Sequence, residues 1–141
     1  MTKTTNTNSL DKVQEYLTAE CFNKLFIGGQ FVDPIDGQKM PTYYPATGEV
    51  FHEVPKGNAN DIKAAIHAAE AAWLDGTWAN MPAATRGDLI SRMAQGIEEN
   101  IEVLAEIEAA DVGKPFRQAE LVLGGAANEG KYWGSLGAVL D

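Results

Sequence analysis

The stretch Leu25-Phe26-Ile27-Gly28-Gly29-Gln30-Phe31-Val32 constrains the fold more than any other feature. Two short apolar runs flank a Gly-Gly pair, and glycine alone tolerates the positive φ of the primed turns that join twisted antiparallel strands. Turn residues then recur. Asp33-Pro34-Ile35-Asp36-Gly37 reads as a second turn cluster. Lys39 to Tyr44 reads as extended, Pro45-Ala46-Thr47-Gly48 as a tight turn, and Val50-Phe51-His52-Glu53-Val54 as a strand closed by Pro55 and Gly57. Upstream, residues 1–8 are polar and low in complexity and read as a frayed tail. Ser9 is placed to cap a short helix from Leu10 to about Cys21, with Leu10, Val13 and Leu17 at helical spacing.

From Asn60 onward the period changes from two to 3.6. Asn60 is expected to cap a helix with Ile62, Ala65, Ile66, Ala69 and Trp73 on one face and Lys63, His67 and Glu70 on the other. Trp73 to Ala84 reads as a loop. Thr85-x-x-Asp88 resembles a capping box for a helix carrying Leu89, Ile90, Met93, Ala94 and Ile97. Ile101, Leu104, Ala105 and Ile107 mark another helix, stopped by Gly113-Lys114-Pro115. Phe116 to Asp141 suggests helix by its alanines, leucines and aromatics, although glycines 124, 125, 130, 134 and 137 each cost a helix about 1 kcal/mol against alanine. The expected class is α/β, and α+β within these residues: short antiparallel β-hairpins followed by three to four helices.

Length and charge bound what such a fold can do. At 141 residues it is one domain at most, with roughly 68–70% of its unfolded surface buried if it closes a core of its own. Eleven Lys and Arg against 20 Asp and Glu give −9, which disfavours partners recognised through phosphates, namely nucleic acid and anionic lipid. The charge serves solubility. No run approaches the ~20 apolar residues of a membrane span. Residues 1–10 carry no apolar core of a signal peptide. Cys21 is the single cysteine, so an intrachain disulfide and a cysteine-rich zinc site are excluded, and the expected compartment is cytoplasmic.

Each candidate for chemistry has a plainer reading beside it. A nucleophilic Cys21 would need a cation or a helix N-terminus to favour the thiolate. Near the end of its expected helix the dipole opposes that, so Cys21 is read as a buried structural thiol. His67 is read as solvated. His52 and Glu53 point to opposite faces of a strand and form no acid–base pair. Gly125-Ala-Ala-Asn-Glu-Gly130-Lys131-Tyr132 approaches the phosphate-binding loop GxxxxGK[ST]. Tyr132 stands where a small hydroxyl must hold magnesium, and only nine residues follow it. No G-x-G-x-x-G occurs. Glu98, Glu102 and Glu106 repeat at i,i+4, which suits a solvated face rather than a carboxylate pair.

The order of these segments resembles the N-terminal portion of the NAD(P)-dependent aldehyde dehydrogenase superfamily. Lys24 to Val32 is similar to its opening hairpin. Tyr44-Pro45-Ala46-Thr47-Gly48-Glu49-Val50 is similar to its Asn-Pro-Ala-Thr-Gly-Glu-Val turn, with Tyr44 in place of the usual asparagine. Asp61-Ile62-x-x-Ala65-Ile66-x-Ala68-Ala69-x-Ala71-Ala72-Trp73 resembles its first long helix, with Trp78, Arg86 and Leu89-Ile90 following. Glu108-Ala-Ala-Asp111-Val112-Gly113-Lys114-Pro115 resembles its Glu-x-x-Asp-x-Gly-Lys-Pro element.

The resemblance implies oxidation of an aldehyde to a carboxylic acid with NAD or NADP, by a cysteine thiolate, an oxyanion-binding asparagine and a water-activating glutamate. In the family those groups lie downstream of the Gly-Lys-Pro element, and Cys21 does not match the catalytic cysteine. The chain is therefore expected to be an N-terminal portion of a longer enzyme, inactive alone. Residues 1–23 would be a polar tail and short helix, and residues 24–141 an incomplete N-terminal part of the domain. No catalytic or cofactor-binding residue is assigned. The full-length family is homo-oligomeric, and many members hold a monovalent cation on backbone oxygens, which maps to Thr42, Tyr43 and Asp111. The resemblance also implies helices that expose faces meant for strands outside these residues. The competing reading is a non-catalytic acidic module or subunit that pairs with a second chain.

Overall fold

A computed structural model describes residues 7–140. It is 62% helical, with two small antiparallel hairpins, as the mixed class expects. Helices α1 (Thr7–Tyr16) and α2 (Glu20–Asn23) lead into β1 (Leu25–Ile27), β2 (Gln30–Val32), β3 (Lys39–Tyr43) and β4 (Val50–Pro55). Helices α3 (Ala59–Asp75), α4 (Ala83–Glu99), α5 (Ile101–Val112) and α6 (Phe116–Leu136) follow, and a 3-10 turn over Gly137–Val139 closes the described chain. Two compact units form. One holds the residues through Ala69 with Ala109–Gly113; the other holds Glu70–Glu108 with Lys114 onward.

In the first unit β1 pairs with β2 in the register Leu25↔Val32, Phe26↔Phe31, Ile27↔Gln30. Gly28 and Gly29 take φ of 61° and 79°, the primed turn the Gly-Gly pair anticipates. β3 pairs with β4, with a register shift between Thr42 and Tyr43. Pro41 is tolerated because both strands of a two-stranded sheet are edges.

The N-terminal helices differ from expectation. Thr7 and Asn8, read as tail, lie inside α1, as does Ser9, read as its cap; residues 1–6 lie outside the described residues. The helix stops at Tyr16 instead of continuing to Cys21. The Thr18 hydroxyl donates to the Glu15 carbonyl at 2.7 Å. Asn23 Nδ2 donates to the carbonyls of Leu17 and Ala19 at 2.7 and 2.9 Å, satisfying acceptors that a continuing helix would have used. Val13 and Leu17 are buried, and Gln14 Nε2 donates to the Phe51 carbonyl of β4 at 2.8 Å. The Leu10 side chain is outside the described set.

α3 begins at Ala59, so Asn60 is inside it. The cap is Asn58, whose Oδ1 accepts the N–H groups of Asn60 (2.8 Å) and Asp61 (3.2 Å), while Asp61 Oδ2 accepts the Asn58 N–H at 2.8 Å. That is a reciprocal box with aspartate at its third position. Asp61 is buried, and its Oδ1 also accepts the Ile35 N–H at 3.0 Å, pinning the second turn cluster to the start of α3. Gly37 closes that cluster, donating to the Pro34 carbonyl at 2.8 Å. The Asn58 amide, and after it the Gln38 N–H, hold the exposed Asp36 carboxyl below its ordinary range.

The second unit is built on α4 and α6. α4 starts at Ala83, two residues before the expected cap, because the Pro82 carbonyl already accepts the Arg86 N–H. Thr85 is then a first-turn residue and Asp88 a second-turn one, and the two form no capping box. Met93, expected on the apolar face, is exposed. The buried face is instead made of Ala83, Gly87 and Ala94. It meets Gly130, Gly134 and Gly137. A Cβ at Gly130 would lie 2.9 Å from that of Ala94; one at Gly134 would lie 2.7 Å from the Gly87 carbonyl oxygen and closer still to Ser91 Oγ. The glycines that cost α6 helix propensity are thus what bring its backbone against α4, and Phe116–Leu136 is one continuous helix.

The core is small. Among the described residues the largest fully buried side chain is Val13, and the remaining buried apolar residues are Leu17 and alanines. Large apolar residues stand outside it, Ile62, Ile66 and Trp73 of α3 among them. The periodicity of α3 marks an apolar face, but the described residues leave that face in solvent.

Candidate functional site

Of the implied cation ligands, Thr42 and Tyr43 end β3 and Asp111 lies in the last turn of α5. The register runs from Thr42↔His52 to Tyr43↔Val50, so Phe51 of β4 is the extra residue of a bulge, and its carbonyl accepts the Gln14 amide at 2.8 Å. The Thr42 hydroxyl donates to the His52 carbonyl at 3.3 Å, which leaves its oxygen lone pairs available. The turn that follows is closed on Tyr44, whose carbonyl accepts from Thr47 and Gly48 at 3.2 and 2.8 Å, with Gly48 at φ 75°. α5 ends against this turn. Gly113 takes φ 72°, its N–H bonds the Ala109 carbonyl at 3.1 Å, and a Cβ there would come within 3.2 Å of the Pro45 Cβ. Asp111 is two residues before Gly113 and exposed. A helix C-terminus and a carboxylate both place negative charge on oxygen, the donor type a hard cation takes. Among the described residues no cluster of three or more His, Cys, Asp or Glu side chains could hold a metal ion.

The other candidates are separated from one another. Cys21 is exposed in the four-residue α2, which overturns its reading as a buried thiol. It left the core because α1 ends before it and α2 turns its side chain outward. The nearby Lys24 ammonium is engaged by Glu20 at 2.7 Å and is held above its ordinary pKa by that hydrogen bond and charge. His67 is exposed on α3, as expected. His52 lines a cavity of about 330 Å³ with Gln14, Leu17, Thr18 and Asn23, and its Nε2 is buried without a hydrogen-bond partner among the described residues.

Gly125 to Tyr132 forms the middle of α6. Its N–H groups are spent on the helix, so no glycine-rich phosphate cradle exists there. Lys131 of that stretch pairs with Glu98 of α4, and Glu108 pairs with Lys114. Ion pairing, not carboxylate chemistry, accounts for these acids. The residues that sequence reasoning missed are Asn58, whose Asn-x-x-Asp spacing to Asp61 was a readable cap signal, and the Gly130/Gly134 pair, whose four-residue spacing marks a close helix crossing.

Mixed helix and strand, the bulged β3–β4 hairpin and the glycine-stopped α5 define a recognisable class of fold. The family description "Aldehyde dehydrogenase family" matches residues 31–141, and the chain belongs to that family. It is 42% identical over 101 residues to the mitochondrial benzaldehyde dehydrogenase of Antirrhinum majus, a match covering 72% of this chain and 19% of the relative. It is 40% identical over 101 residues to a mitochondrial aldehyde dehydrogenase of Rattus norvegicus, covering 71% and 20%. In three dimensions it is similar to betaine aldehyde dehydrogenase of Staphylococcus aureus in complex with NAD+, with a TM-score of 0.85 and 27% identity over 91% of this chain and 25% of that one. The chain thus spans about a fifth of the length of the curated relatives it matches. No helix among the described residues is long and apolar enough to cross a membrane.

Proposed function

We propose that these residues are the N-terminal portion of an aldehyde dehydrogenase, an oxidoreductase that converts an aldehyde to a carboxylic acid with NAD or NADP, and that they serve it as scaffold and hold no catalytic centre. The single observation that carries this reading is the family match over residues 31–141 on a chain with no assembled nucleophile, base and phosphate cradle among its described residues. Residues 24–141 make up the incomplete N-terminal part of the domain, and residues 1–23 lead into it. The described residues do not fit a dinucleotide: the one glycine-rich stretch resembling a phosphate loop is buried in a helix ladder. The thiolate, the oxyanion donor and the water-activating glutamate come from elsewhere in the enzyme. Calorimetric titration of the 141-residue chain with NAD+ is expected to give no saturable heat. A saturable isotherm would overturn the scaffold reading.

The same reading assigns Thr42, Tyr43 and Asp111 to a monovalent cation. Backbone oxygens at Thr42 and Tyr43 and the Asp111 carboxylate are of the donor type that suits sodium or potassium. Replacing choline chloride by sodium chloride at constant ionic strength should raise the unfolding temperature of the chain by a few degrees. Asp111→Ala should abolish that difference while leaving the choline value unchanged. Equal salt responses in both proteins would remove Asp111 from the site.

A further inference from the structure

The cavity of about 330 Å³ beside His52 belongs wholly to the first unit, where α1, α2 and β4 bring Gln14, Leu17, Thr18, Asn23 and His52 together. Gln14 and Thr18 are exposed, so it is reached from solvent, while Leu17, 6% exposed, supplies an apolar wall. His52 Nε2 is buried and has no hydrogen-bond partner among the described residues. Such an atom costs about 1–3 kcal/mol, which an occupant that bonds it recovers. His52 directly follows Phe51, the extra residue of the β4 bulge, and bulges re-aim the side chains beside them.

The donors of this lining are largely committed. Asn23 Nδ2 spends both N–H groups on the Leu17 and Ala19 carbonyls at 2.7 and 2.9 Å. The Thr18 hydroxyl proton goes to the Glu15 carbonyl at 2.7 Å, and Gln14 Nε2 donates to the Phe51 carbonyl at 2.8 Å. What remains is mostly acceptor: Asn23 Oδ1, the Thr18 oxygen, Gln14 Oε1 and, in one tautomer, His52 Nε2. Among the described residues the lining holds no carboxylate, lysine or arginine. An anion therefore finds no donor set, and it meets a chain of net charge −9. The complement is a positively charged group with several N–H donors on an apolar stem.

We propose that this cavity binds a primary alkylammonium, with its N–H donors on the imidazole and on the amide and hydroxyl oxygens, and its stem along Leu17. A free amine and a lysine side chain present the same group. The site uses no part of the aldehyde chemistry and goes beyond the scaffold reading.

The test titrates the 141-residue chain with n-butylammonium chloride at pH 8 and constant ionic strength, followed by NMR at the His52 ring and the Asn23 side-chain amide. Both signals should shift saturably, with half-saturation on the order of 1 mM. n-Butanol, with the same stem and no charge, and tetramethylammonium, with charge and no donor, should each bind about tenfold more weakly or worse. His52→Phe keeps a ring without Nε2 and should weaken n-butylammonium binding by about tenfold, read at Asn23. His52→Gln restores an acceptor and should recover most of that loss. Circular dichroism matching the parent establishes that both variants fold; if they do not, the ligand series on the parent chain decides alone. Nα-acetyl-lysine methylamide separates the sources. Binding at least as tight as n-butylammonium assigns the site to a lysine side chain, and weaker binding assigns it to a free amine. No saturable shift with n-butylammonium overturns the proposal. So does equal binding of tetramethylammonium or n-butanol, or unchanged binding by folded His52→Phe.

Discussion

Gly87→Ala is expected to destabilise the chain by about 2 kcal/mol, although alanine is the better helix former by about 1 kcal/mol. An added Cβ at Gly87 would run into the Gly134 carbonyl oxygen and stand 3.3 Å from the Gly137 Cα. Both are backbone atoms and cannot rotate away, so α6 must lift from α4, an overpacking cost of about 3 kcal/mol. Gly96→Ala in the same helix is the matched control. Nothing lies within 4 Å of its Cβ, so it should stabilise by up to about 1 kcal/mol. Urea unfolding followed by circular dichroism reads both. Two substitutions of the same kind in one helix should move the midpoint in opposite directions. A stabilising Gly87→Ala would mean that α4 and α6 do not cross this closely.

Asp61→Ala should be the largest loss in the first unit, about 3 kcal/mol. The carboxylate accepts from Ile35 and Asn58, and removing it leaves two part-buried N–H groups unsatisfied at about 1–3 kcal/mol each, partly recovered by water. Asp61→Asn keeps one acceptor oxygen and should cost about half as much. Asn58→Ala removes only the cap, about 1 kcal/mol. The ordering Asp61→Ala, Asp61→Asn, Asn58→Ala is the informative result, and faster amide exchange at Ile35 should accompany the first two only. If Asn58→Ala cost the most, the turn at Asp33–Gly37 would not be pinned through Asp61.

What was legible in the sequence was what local chemistry dictates. Gly28-Gly29 can form a primed turn without its neighbours' help, and it does. Gly113-Lys114-Pro115 ends α5 for reasons internal to three residues. What was not legible depended on contacts made at a distance. The glycines of α6 look like helix breakers one at a time, and only the opposing Gly87 and Ala94 show why they are tolerated. The face of α3 could be read from its period, yet period does not say whether a face is covered; Ile62, Ile66 and Trp73 proved exposed. Free cysteine is usually buried, but the end of α1 before Thr18 leaves Cys21 outside the core. The register shift at Thr42/Tyr43, with Phe51 as the extra residue, leaves no signature in composition at all.

The central claim is that this chain carries the scaffold of an aldehyde dehydrogenase without its chemistry. The direct measurement is NADH formation by the purified 141-residue chain, supplied with NAD+ and a panel of aliphatic and aromatic aldehydes. The expected result is an absorbance trace indistinguishable from the enzyme-free blank for every aldehyde. Turnover above the blank, lost in Cys21→Ala, would contradict the claim and place a nucleophile on α2.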